Sequence, residues 1–174
     1  MDLLEIMQNR RSVRTYTDEP ISNDSLQKIL QAGLLSASSR GVRPWELIVV
    51  RDKGILKQMS ECRIGSAKML SGADAAIVVI GNITASDVWV EDCSIVMSNM
   101  HLMADSLGIG SCWIQGRLRE APDGRTTENY LKELLKFPDG FALEAVLSLG
   151  MPDKHPAKRE LSELPMNKIH YEVY

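Results

Sequence analysis

The stretch AAIVVI, Ala75 to Ile80, lies between Asp74 and Gly81 and contains no polar side chain. A strand with one wet face alternates apolar and polar residues. An unbroken, largely β-branched run is instead the pattern of a strand covered on both faces. The rest of the chain must therefore supply that cover. The largest piece is a helix: Cys93, Val96, Met97, Met100, Met103, Ala104 and Leu107 recur at three- and four-residue spacing, and Gly108 supplies a stop. Ile95 and Leu102 add a second apolar strip, so most of this helix is expected to be buried, with its methionines as core filler.

Shorter elements surround these two. Residues 2–10 form a short amphipathic helix with Leu3, Ile6 and Met7 on its apolar side. Ser22 can cap a helix that carries Leu26, Ile29, Leu30 and Leu34. A loop over 36–44 leads into a strand over 45–50, and residues 54–60 suggest one or two helical turns. Residues 111–114 read as a short strand, Thr126 or Thr127 as the cap of a helix through Phe137, and 142–149 as a further strand. In GIGSCW, the G-x-G follows a helix and precedes a strand, the reverse of a dinucleotide-binding turn, so Gly108 and Gly110 read as a helix stop and a turn. The last 24 residues hold three of the seven prolines and end in IHYEVY, whose alternation predicts a strand at the end of an extended arm. Such an arm must lie on its own sheet edge or on a partner's. The expected architecture is α+β: one domain over 1–174, a mostly antiparallel or mixed sheet of about four or five strands flanked by helices, and an arm over 151–174.

Composition removes several function classes. A formal net charge of −3 speaks against general nucleic-acid affinity, and no run approaches the ~20 apolar residues of a membrane span. The N-terminal MDLLEIMQNR does not read as a secretory signal, so the expected location is cytoplasmic. Cys62, Cys93 and Cys112 are far apart and odd in number, which favours buried free thiols over a zinc site or disulfides. His101, His155 and His170 form no ligand pair; His101, with Asp105 four residues on, reads as a structural histidine. Glu91 and Asp92 read as surface acids near a helix start.

One concentration of charge survives this sorting. NRRSVRTY, residues 9–16, puts Arg10, Arg11 and Arg14 within five positions. A basic patch at a helix C-terminus accounts for Arg10 and Arg11 but not for Arg14, which lies beyond the helix. An anion site is the alternative, and two other segments favour it. SASSRGVRPWELIVV, 36–50, carries Ser38, Ser39, Arg40 and Arg43 in a loop suited to phosphate oxygens, and GMPDKHPAKRE adds Lys158 and Arg159.

Together, RRSVRTY, SASSRGVRPWELIVV, LGIGSCWIQG and GMPDKHPAKR, in this order over nearly the whole chain, resemble the FMN-dependent nitroreductase family. The resemblance implies a homodimer with two FMN molecules at the subunit interface and a C-terminal arm that embraces the partner. It also assigns roles. Arg10, Arg11, Ser12 and Arg14 match the segment that holds the phosphate, the ribityl chain and the pyrimidine edge of the flavin. Ser38 and Ser39 match serines that arrive from the partner subunit. Gln115 and Gly116 match the turn facing the flavin N5 and C4 carbonyl, and Lys158 and Arg159 complete the phosphate site. Arg43 joins this cofactor-binding set, although it and Gly41 stand where the family often carries amides.

No metal site and no catalytic side chain is expected, because the flavin carries the chemistry while Arg14, Gln115 and Gly116 tune it. The implied activity is ping-pong transfer from NAD(P)H to a small-molecule acceptor such as a nitroaromatic or quinone. Three alternatives stay open on sequence alone: a flavin storage or sensing protein, a dimer that has lost its cofactor, and a specialised flavin enzyme resembling a dehalogenase or a flavin-destroying oxygenase.

Overall fold

A computed structural model describes residues 2–174. Four strands make one antiparallel sheet: β1 (Trp45–Val50), β2 (Ala75–Asn82), β3 (Gly110–Gln115) and β4 (Phe141–Gly150), in the order β1-β2-β4-β3. The apolar run thus forms an inner strand, hydrogen-bonded on both edges, and its side chains feed two cores. Ala75, Ile77 and Val79 point to one face, where they meet α2 (Asn23–Leu34) and α4 (Trp89–Ser106). Ala76, Val78 and Ile80 point to the other, against α3 (Lys53–Met59), the 3-10 turn Lys68–Gly72 and α5 (Thr127–Leu135). Burying an Ile or Val side chain contributes about 2 kcal/mol, so these positions favour cover on both faces of β2.

The helix starts follow local chemistry. Asp2 and Glu5 close a capping box on α1 (Leu3–Asn9), and the side chains of Ser22, Asp52 and Thr126 accept backbone N–H groups at the starts of α2, α3 and α5. Of the two candidate threonines, Thr126 is the cap. Gly108, at φ +73°, ends the α4 region as expected. Gly110 is different: it is the first residue of β3, and a Cβ there would stand 2.7 Å from a Val13 methyl. Its small size serves the segment 12–17, which crosses the sheet end through Val13 N–H to Ser111 C=O and Thr17 N–H to Met151 C=O, both 2.9 Å.

Several expectations need correction. IHYEVY forms no strand: the backbone over 169–174 pairs with no sheet edge, and Glu172 has φ +65°. Its alternating pattern has no ladder to join within one chain, because residues 160–174 are all exposed. Leu3 and Met7 of α1 are likewise exposed rather than packed, as is Ile95 of the supposed second buried strip on α4. Asp92, read as a surface acid, is buried at the start of α4. The three cysteines are free and buried, and burial pushes the thiols of Cys62 and Cys93 up to about 12. Among the described residues no helix is long and apolar enough to cross a membrane, and no cluster of metal-ligating side chains occurs.

Candidate functional site

The two ends of the chain meet where α1 runs into the 12–17 segment. The backbone N–H of Arg159 donates to the Gln8 carbonyl at 3.0 Å, and the Gln8 amide donates back to the Arg159 carbonyl at 3.1 Å. Arg11 donates through Nη1 to the Ala157 carbonyl. These contacts, separated by about 150 residues of chain, set Arg10 and Arg11 beside Lys158 and Arg159. A groove of about 320 Å³ opens between Arg11, Lys158, Arg159 and the turn Glu160–Pro165.

Two carboxylates, Glu160 and Glu163, line the groove beside Arg11, Lys158 and Arg159. Yet among the described residues, none of Arg10, Arg11, Arg14, Lys158 and Arg159 forms an ion pair with a carboxylate. Burial and the neighbouring Arg159 hold the Arg10 pKa below its ordinary value, although a guanidinium stays charged at any physiological pH. Like charges this close repel, and an anion relieves the repulsion. The donor set fits a phosphate: planar forks for bidentate contacts, one flexible ammonium, and an open groove.

Arg10 is held from below by α4. Its Nη1 lies 3.1 Å from His101 Nε2, and His101 Nδ1 lies 2.5 Å from Ser111 Oγ on β3. Burial and Arg10 bring the His101 pKa down to about 4, so the ring is neutral. Asp105, one turn further on, accepts from the Asn9 amide at 3.0 Å and faces His155 at 3.4 Å. His101 is structural, as the sequence suggested, but its partners are Arg10 and Ser111 rather than Asp105.

The remaining candidates lie elsewhere. Ser12 bridges Ser111, and the exposed Arg14 reaches back to the Ser12 carbonyl at 3.5 Å beside the buried Cys112. Ser38 and Ser39 sit at the opposite end of α4 from Arg10. The buried Asp92 fixes them by accepting from Ser39 N–H at 2.8 Å, while Ser38 Oγ accepts from Arg43 N–H at 2.9 Å. At 1.5 Å per residue, Asp92 and His101 are about 14 Å apart along the axis. Arg40 pairs with Asp87, and the Arg43 side chain is exposed. Gln115 ends β3 and Gly116 follows it; the Gly116 N–H donates to the Glu144 carbonyl at 3.2 Å, and Trp113 donates to Gln115 Oε1 at 2.9 Å. A second groove, about 640 Å³, opens beside Gly116 along Trp89, Arg117 and Leu118. One chain thus gathers Arg10, Arg11, Lys158 and Arg159 and leaves the serine loop apart.

One residue near this turn escaped sequence reasoning. Glu144 is the unpaired residue of a bulge, since Val79 pairs with Ala145 and Ile80 with Leu143. Its carboxyl is buried; Oε1 accepts from Ser94 at 3.3 Å and Oε2 has no partner. Burial raises its pKa. A single acid inside ALEAVLSL was the available signal.

Known proteins share this sequence and this fold. The chain matches the model of the Nitroreductase family over residues 7–69 and 56–151. A solved FMN-dependent nitroreductase of Clostridium difficile superposes with a TM-score of 0.95 at 40% identity, covering 98% of this chain and 99% of that one. A protein of Archaeoglobus fulgidus that carries the provisional name NADH dehydrogenase/NAD(P)H nitroreductase is 41% identical over 87% of this chain and 86% of its own. The FMN reductase [NAD(P)H] of Bacillus subtilis is 25% identical over 99% of this chain and 74% of its own. With the fold, the order of its motifs and these relatives in agreement, the chain belongs to the nitroreductase family.

Proposed function

We propose that this protein is an FMN-dependent oxidoreductase that takes reducing equivalents from NAD(P)H and delivers them to an oxidised small molecule such as a nitroaromatic or quinone. The observation that carries this reading is the cluster of Arg10, Arg11, Lys158 and Arg159, built from both ends of the chain and, among the described residues, free of ion pairs. Such a cluster suits the phosphate of FMN, which is close to a dianion at neutral pH.

Bound there, FMN would supply the redox chemistry of hydride transfer between NAD(P)H and the second substrate. The chain's own residues bind and tune. Arg10, Arg11, Lys158 and Arg159 hold the phosphate. Ser12 follows them toward the ribityl chain. Arg14, permanently charged, stabilises negative charge at the pyrimidine edge and so favours the reduced form. The Gln115–Gly116 turn lies at the far end of β3 from Ser111, about 13 Å along the strand, so an elongated ligand is required to reach both. Arg43 and the hydroxyls of Ser38 and Ser39 belong to the same set.

The protein acts as a homodimer in the cytoplasm. Leu161, Leu164, Met166, Ile169, Tyr171 and Val173 of the arm are all at least 43% exposed, an apolar segment with nothing beneath it in a single chain. A second copy supplies the missing surface, and with it a route for Ser38 and Ser39 to approach the partner's Arg10 cluster.

Steady-state oxidation of NADH and NADPH, measured with added FMN and a panel of nitroaromatics and quinones, tests the activity. Acceptor-dependent turnover is the expected result. Flavin held tightly with no turnover would move the assignment to storage or sensing, and no flavin uptake at all to a dimer without a cofactor.

A further inference from the structure

A buried or half-buried arginine usually meets a carboxylate, which anchors its guanidinium and cancels its charge. Arg10 is anchored otherwise. Its Nη1 faces His101 Nε2 at 3.1 Å, and a guanidinium can only donate, so Nε2 is the acceptor. The ring proton must then sit on Nδ1, from which it donates to Ser111 Oγ at 2.5 Å. Asp105 acts on Arg10 through space but forms no ion pair with it; it accepts from Asn9 on α1 and faces His155 of the arm. The other charged groups acting on Arg10 are Arg11 and Arg159, both cations.

We infer that His101 is a positioning residue for anion binding, a neutral imidazole in the Nδ1–H tautomer that aims the Arg10 guanidinium at the phosphate groove without spending its charge. This rests on the phosphate site proposed above and adds to it. The anchor beneath Arg10 adds no negative charge to the four cations that meet there. Ser111 fixes the tautomer from β3, and α4, packed against the sheet, fixes the distance. A carboxylate at position 101 would hold Arg10 equally well and weaken the site by neutralising it. An aliphatic residue would fill the space and leave Arg10 unaimed.

The test compares the affinities of the full-length, flavin-freed protein for FMN and for riboflavin by fluorescence quenching, because the ratio isolates the phosphate. Wild type should prefer FMN. His101→Glu should lose roughly tenfold or more of that preference by neutralising Arg10, and His101→Leu about tenfold, the scale of one hydrogen bond to a charged group. His101→Gln, whose carbonyl can accept from Arg10, should keep most of the preference. Riboflavin affinity should be the same in all four. Should the leucine variant fail to fold, the Glu and Gln variants still decide. Nitrogen-15 spectra of histidine-labelled wild type give an independent readout, expected to show a neutral ring protonated at Nδ1. Full preference retained in the Glu variant, or an Nε2–H tautomer, overturns the inference while leaving the phosphate site intact. A wild-type protein that binds both flavins alike overturns the phosphate site itself, and the inference with it.

Discussion

Acid should unfold this protein partly through His101, and the size of the effect follows from its surroundings. The ring is buried beside a guanidinium, which lowers its pKa from 6.5 to about 4. In the unfolded chain it recovers the ordinary value. The unfolded state therefore binds a proton that the fold refuses, and stability falls as pH drops. The contribution is fully present above pH 6.5 and is lost progressively as the pH approaches and passes 4. Linkage over that interval gives a loss of about 2 kcal/mol at pH 5 and about 3 kcal/mol at pH 4. Urea unfolding of wild type and of His101→Gln, run at steps from pH 7.5 to pH 4, isolates the effect, because the other carboxylates and histidines titrate alike in both proteins. The stability difference between the two should close, or reverse in favour of the variant, by that amount. Parallel pH profiles would refute the argument that burial and Arg10 keep the ring neutral.

Other perturbations have equally definite outcomes. Gly116→Ala places a Cβ 2.4 Å from a Leu143 methyl and 2.8 Å from its Cγ, and Leu143 is fully buried, so the variant should lose about 1–3 kcal/mol in urea unfolding. Glu144 behaves oppositely to His101: its raised pKa means that its contribution is present below the ordinary glutamate value and is lost as pH rises through the raised one. Glu144→Gln should therefore be more stable than wild type at neutral and alkaline pH, with the gain vanishing in acid, as read from melting temperatures across pH. Arg14→Ala should lower the midpoint potential of the bound flavin in a spectroelectrochemical titration; an unchanged potential removes Arg14 from the pyrimidine edge.

Much of this was legible in the residues. Ala75–Ile80 announced a strand covered on both faces because a strand with a wet face carries polar residues, and Ser22 and the Thr126–Thr127 pair placed two helix starts to within a residue. The basic segments at both ends were visible as charge in an acidic chain. Their convergence was implied only by resemblance, since no periodicity connects Gln8 to Arg159. The failures share a cause. Leu3, Met7, Ile95 and IHYEVY carry the patterns of buried elements, yet one copy of the chain offers nothing to bury them. Pattern reports that a surface wants cover and is silent on which molecule provides it. Asp92 and Glu144 were misjudged or missed because a buried acid depends on partners distant in sequence, here the Ser39 N–H and the Ser94 hydroxyl.

The central claim is that two copies of this chain jointly enclose FMN, gripping its phosphate with residues from both termini. Native mass spectrometry of the protein as purified tests it most directly. The expected mass is that of two 19.4-kDa chains carrying two FMN molecules. A single flavin-free chain that takes up no added FMN would contradict it.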